Sequence, residues 1–85
     1  MKLLVSMSST LGVLTEGRVT ISNTLFVEVV EQDAETSRKS GPLGMYLGAT
    51  KVKILGFEPN KLFSLADQRT AWINSLSVTF AEEVS

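Results

Sequence analysis

The stretch Arg18 to Gln32, RVTISNTLFVEVVEQ, is the densest run of β-branched and aromatic residues in the chain. Val, Ile, Thr and Phe fit a pleated, half-buried surface, so the run reads as strand. Val19 and Ile21 alternate with Arg18, Thr20 and Ser22, and farther on Leu25, Val27 and Val29 share one parity while Phe26, Glu28 and Val30 share the other. A period of two is the signature of a strand with one buried face. Asn23-Thr24 interrupts the alternation and reads as a hairpin turn or a bulge. Just upstream, Glu16-Gly17 marks a tight turn, because glycine takes a positive φ without steric cost.

Working outward, Leu3, Val5 and Met7 fall on one side of an extended segment with Leu4 on the other; Ser8-Ser9-Thr10 reads as a turn, and Leu11 to Thr15 as a second short extended piece. Beyond Gln32 the text EQDAETSRKSGPLG, Glu31 to Gly44, turns polar and charged, which predicts a flexible loop at about 33–44, near the upper end of ordinary loop lengths. From Met45 to Phe57 the chain extends again, with Tyr46, Val52 and Ile54 on one parity and Leu47, Lys51, Lys53, Leu55 and Phe57 on the other. Lysines on an outward face are one way in which sheets protect an edge.

Glu58-Pro59-Asn60 ends that strand. The spacing in NKLFSLADQRTAW predicts one short helix near residues 60–72, with Asn60 as N-cap and Leu62, Leu65, Ala66, Arg69, Trp72 and Ile73 along one stripe. Trp72, Asn74, Leu76, Val78 and Phe80 alternate instead, so a final strand is expected from about Ser75 to Ala81, followed by a solvent-exposed tail. The expected architecture is one small domain over 1–85, mainly β (β-rich α+β): a small barrel or two-layer sandwich of four to six strands with that one helix.

At 85 residues the chain has little room for a core, and the usual aids to a small domain are disulfides, a metal or other subunits. It contains no cysteine and no histidine, which removes disulfides, thiolate ligands and the commonest transition-metal ligand. Association remains. The hydrophobic share is 44% against 20% charged, and the mean hydropathy is +0.18, which suits a chain that turns apolar surface toward a partner. Eight basic and nine acidic residues leave a net charge of -1, too weak a field to draw in a polyanion without a local basic patch. The opening MKLLVSMSSTLGVL begins like a secretory signal, but Ser6, Ser8, Ser9 and Thr10 break its apolar run and no Ala-x-Ala pattern follows. With no apolar stretch near the roughly 18 residues of a membrane span, a soluble protein in the cytoplasm or assembled into a virion is expected.

The residue types leave little chemistry. Ser-His and Cys-His nucleophiles are ruled out by composition. Ser37 or Ser40 beside Lys39 supplies a serine and a lysine base, but neighbours in a flexible loop lack the fixed geometry that proton transfer needs. Glu28, Glu31, Asp33 and Glu35 do not follow the spacing of a calcium loop, and Glu82-Glu83 would point to opposite faces of a strand. SRKSGPLG lacks the GxxxxGK[ST] order of a phosphate-binding loop. No catalytic, cofactor or metal site is expected. Two binding candidates remain. Arg38, Lys39, Leu43, Met45 and Tyr46 form a partner-binding arm with two cations and an apolar anchor. Lys51 and Lys53, aided by Arg38 and Lys39, could contact phosphate while Tyr46 or Phe57 stacks on bases. Trp72 and Phe63 are expected in the core.

The functional expectation is a non-enzymatic structural subunit that forms a symmetric homo-oligomer or attaches to other structural subunits of a larger particle, a bacteriophage virion protein being the example. The alternative is a small single-stranded nucleic-acid-binding module of oligonucleotide-binding type.

Overall fold

The computed structural model describes residues 1–32, 49–74 and 77–84. The mainly β expectation holds: six strands form one sheet, β1 (Lys2–Thr15), β2 (Arg18–Gln32), β3 (Ala49–Glu58), β4 (Lys61–Leu62), β5 (Thr70–Asn74) and β6 (Val78–Val84). All pairings are antiparallel, in the order β4-β3-β2-β1-β6, with β5 also on β3. β4 and β5 share the edge of β3 that faces away from β2, β5 along its first half and β4 along its second. The last strand lies beside the first, which gives the order 6-1-2-3 of a Greek key.

The sheet is rolled, and connectivity shows why. Laid flat, β5 and β6 would stand four strand spacings apart, about 19 Å at ~4.8 Å each. The chain from Asn74 to Val78 spans at most about 14 Å at ~3.6 Å per residue. The two ends of the sheet therefore curl toward each other, as in a small open barrel. The concave side holds the core: Leu3, Val5 and Met7 of β1, Leu25 and Val27 of β2, Val52 of β3 and Ile73 of β5, with Val29, Ile54, Phe57, Val78 and Ala81 packed around them. Val5, Val27 and Val52 are completely buried. The parity read for Leu3, Val5 and Met7 and for Leu25, Val27 and Val29 is the parity that packs inward.

Three expectations are corrected. Ser8-Ser9-Thr10 is not a turn but the middle of one long strand. Between the pairs Ser6–Thr24 and Leu11–Ser22, β1 has Met7 to Thr10 where β2 has only Asn23. The excess is absorbed as a bulge that bends the hairpin. On the β2 side the Ser22 hydroxyl holds the kink, accepting from the Thr24 N–H and donating to the Thr24 carbonyl, both at 3.1 Å. Arg18 to Gln32 is thus one bent strand.

The helix near 60–72 contracts to a single 3-10 turn, Leu65–Asp67, flanked by strands. A helical stripe forms only where it has a surface to bury against, and Leu62 and Leu65 remain 57% and 82% exposed. Thr70–Asn74 instead follows the alternating pattern and pairs with Lys53–Ala49. Last, the final strand does not stop near Ala81: Glu82, Glu83 and Val84 pair with Leu4, Leu3 and Lys2, while Glu82 and Glu83 stay exposed as expected.

The Glu16-Gly17 turn is as read, with φ of 52° and 74°, the two positive values of a type I′ hairpin. Gly56 sits where β3 bulges between the pairs Phe26–Gly56 and Val27–Ile54. A Cβ there would meet the Lys61 carbonyl oxygen and come within 2.8 Å of the Leu62 Cα, so only glycine lets β4 cross so closely.

Candidate interaction surfaces

Arg38, Lys39, Leu43, Met45 and Tyr46 lie outside the described residues, as do Ser37, Ser40, Asp33 and Glu35. Lys51 and Lys53 are described, and their setting differs from the expected edge. β3 is an interior strand, with β2 on one side and β4 and β5 on the other. Lys53 stands opposite Glu28 of β2 and Thr70 of β5, and Lys51 opposite Glu31 and Trp72. Both lysines are half-buried. Lys53 therefore has the acidic residue Glu28 as its cross-strand neighbour, which offsets the positive field that a polyanion would need.

Trp72 is not a core residue. It is 53% exposed, on the parity opposite to Ile73, because β5 is a strand whose inward positions are Ala71 and Ile73. Phe63 is half-buried and meets Phe57 edge to face, with ring centroids 4.8 Å apart at 86°. Among the described residues no group of three His, Cys, Asp or Glu side chains converges as a metal site. Glu82 and Glu83 are both exposed, and their partners Leu4 and Leu3 lie on opposite faces of β1. Among the described residues the one ion pair is Lys61 to Glu58 at 3.0 Å, an exposed contact across the β3–β4 turn. No helix among the described residues is long and apolar enough to cross a membrane.

The surface that the sequence reading passed over is the distal half of the β1–β2 hairpin, residues 11–22. Beyond the bulge, β6 no longer accompanies β1, since it pairs only with Lys2–Met7, and β3 no longer accompanies β2, since it pairs only with Phe26–Gln32. The hairpin continues as a two-stranded arm. Its register is Leu11–Ser22, Gly12–Ile21, Val13–Thr20, Leu14–Val19 and Thr15–Arg18. Leu11, Val13 and Thr15 turn toward the body and are half-buried, the first two packed against the core. Leu14, Val19 and Ile21 turn outward, 49%, 64% and 65% exposed, around Gly12. A Cβ at Gly12 would lie 3.3 Å from Val19 Cγ1 and 3.7 Å from Ile21 Cδ1, so these side chains close over it as one apolar patch. The arrangement inverts the usual rule, since on the β2 side of the arm the apolar residues face water and Thr20 and Ser22 face the body.

Two hydrogen bonds brace the arm along its β1 edge. Arg69 Nη2 donates to the Leu14 carbonyl at 3.3 Å, and the Glu16 N–H donates to Asp67 Oδ2 at 3.2 Å. Ser64 donates to the same carboxylate oxygen at 3.1 Å, and Gln68 Nε2 to the Phe63 carbonyl at 3.2 Å, so the 3-10 segment is itself anchored. Beneath the brace lies an apolar cleft of about 220 Å³, walled by Leu11, Val13, Leu25, Ile54 and Phe63 and by Gly12 and Leu14 of the arm's β1 edge, and lined also by Asp67 and Arg69. On the β2 edge a second cleft of about 260 Å³ runs between Thr20, Ile21, Ser22 and Thr24 on one side and Phe57, Glu58 and Lys61 on the other. Comparison with protein-family models, with curated proteins and with solved structures finds no match to this chain.

Proposed function

We propose that the protein is a non-enzymatic assembly subunit, one that associates with copies of itself or with other structural subunits of a larger particle such as a virion. One observation carries this reading: the arm presents Leu14, Val19 and Ile21 to solvent on a face without a charged residue, next to an edge that no described strand covers. A chain of 85 residues with so few core positions gains stability by covering such a face. The test is molar mass by light scattering over a concentration series, with and without a short oligonucleotide at low salt. A mass that rises to a defined multiple and ignores the oligonucleotide agrees with the proposal. A monomer at every concentration, with no partner subunit, removes its basis.

A second reading, single-stranded nucleic-acid binding, draws on one feature: Trp72 offers an exposed ring in register with Lys51 on the neighbouring strand. It requires mass gain with the oligonucleotide that falls steeply as salt rises. Glu28 opposite Lys53 weighs against it.

A further inference from the structure

We infer that the occupant of the arm is a second copy of the same arm, joined edge to edge through β2 about a two-fold axis at Thr20. The inference rests on the assembly reading and adds the partner and the register.

It begins with the backbone. In a two-residue type I′ hairpin the residues flanking the turn, here Thr15 and Arg18, exchange both of their hydrogen bonds, and the pattern then alternates along the ladder. Val13–Thr20 and Leu11–Ser22 repeat the bonded pairing. Leu14, Gly12, Val19 and Ile21 therefore aim their N–H and C=O groups away from the partner strand. The Leu14 carbonyl, which accepts from Arg69, shows that outward direction on the β1 edge. On the β2 edge the corresponding groups of Val19 and Ile21 meet no strand among the described residues. Such an edge is a template for another strand; it carries no lysine or proline, and its one charged residue, Arg18, sits at the hairpin tip.

Self-pairing satisfies that edge in one register. With the axis at Thr20, Val19 stands opposite Ile21 of the second copy and Ile21 opposite Val19 of the second copy. All four carry outward backbone groups, so both pairs are hydrogen-bonded. Their side chains share one face, and the two apolar patches become one. Arg18 falls opposite Ser22 of the second copy, so no like charges meet.

The same register carries each hairpin tip past Ser22 and Thr24 of the other copy, into the cleft beside β2. The tip bears Glu16 and Arg18, and the cleft wall bears Lys61 and Glu58, which gives each charge an opposite partner. Isologous contacts of this kind are self-complementary by symmetry. The segment Arg18–Ser22 is short beside the roughly 20–30 residues a side of a standard interface, so the dimer is expected to dissociate on dilution.

The test uses the whole chain. Light scattering is measured for the wild type and for the double variant Val19→Lys with Ile21→Lys, whose fold is checked by circular dichroism. Thr20→Cys, which places one thiol at the axis in a chain without native cysteine, is oxidised beside Ala66→Cys, an exposed control away from the edge. Expected are a concentration-dependent dimer of the wild type, loss of that dimer in the lysine variant over the same range, and a disulfide-linked dimer for Thr20→Cys alone. A wild type that oligomerises while the lysine variant keeps the same mass, or while Thr20→Cys forms no cross-link, overturns this pairing and leaves the assembly reading standing. A monomeric wild type at all concentrations overturns both. If the lysine variant fails to fold, the cross-link alone decides.

Discussion

In the proximal half of the β1–β2 hairpin Val5 and Val27 are fully buried; in the distal half Val19 and Ile21, both on β2, keep 64% and 65% of their surface exposed. Residue type does not separate them, since all four are β-branched aliphatics in extended backbone. What separates them is the number of neighbours that the rolled sheet supplies. Proximally, β6, β3 and β5 close over the concave side; distally, both edges of the hairpin lack a strand and one face lacks a cover. The bulge at Met7–Thr10 against Asn23 marks the border. Apolar patterning shows that a strand has a face to bury, and the tertiary neighbours decide whether the same molecule buries it.

The largest effect that would break this contrast is a charge in the proximal half. Val27→Asp leaves an unpaired carboxylate in the core at a cost of about 3–5 kcal/mol or more, against roughly 4–13 kcal/mol for the whole domain at 0.05–0.15 kcal/mol per residue. The cooperative transition in urea should shift far down or vanish. Retention of the wild-type midpoint would mean that the core is not where the fold places it.

Next in size is Gly56→Ala. The added Cβ meets the backbone of Lys61 and Leu62, not the end of a flexible side chain, so β4 has to move. The expected loss is about 1–3 kcal/mol, read as a lower midpoint at an unchanged denaturant slope. The β3–β4 turn should also lose amide protection, and an unchanged midpoint would contradict the close crossing.

Smaller, and opposite in sign, is Glu16→Asn. Glu16 holds a φ of 52°, and asparagine tolerates that region better than glutamate does. A gain of roughly 0.5–1 kcal/mol is expected, a part of the ~1–2 kcal/mol left-handed penalty. The bond from the Glu16 N–H to Asp67 uses backbone and survives the change. A loss of stability would show that the glutamate side chain has a role at the tip.

The smallest expected change is Ile21→Thr. In dilute monomer it should alter stability by no more than about 0.5 kcal/mol, as for an exposed site. Measured again at concentrations where the protein associates, the same variant should lag behind the wild type. Equal behaviour in both regimes would dissolve the distinction between the two halves.

Much of this architecture was legible beforehand. The strand character of Arg18–Gln32 comes from its density of Val, Ile, Thr and Phe, the shared faces of β1 and β2 from the period-2 pattern, and the Glu16-Gly17 turn from the freedom of glycine. The lysines were legible as a pair on one face but not as members of an interior strand. Whether a strand is interior depends on pairings across long sequence separations, and Lys51 and Lys53 acquire their glutamate neighbours only through the β2–β3 register. The candidate surface was the least legible part. Alternation places Val19 and Ile21 on one face but cannot say on which side the body of the protein lies.

Local chemistry by itself determined that this chain is a β protein without cysteine or histidine, that its hairpin closes at Glu16-Gly17, and which residues of each strand lie on a common face. The tertiary structure alone decided that Leu62 to Trp72 keeps only a 3-10 turn at Leu65–Asp67: Leu62 and Leu65 stay exposed, while the edge of β3 offers backbone partners to Thr70–Asn74. It also decided that the arm turns its apolar face outward. The register shift between Ser6 and Leu11 sets which parity faces the body beyond the bend, and that shift is a property of two strands paired together, carried by neither one alone.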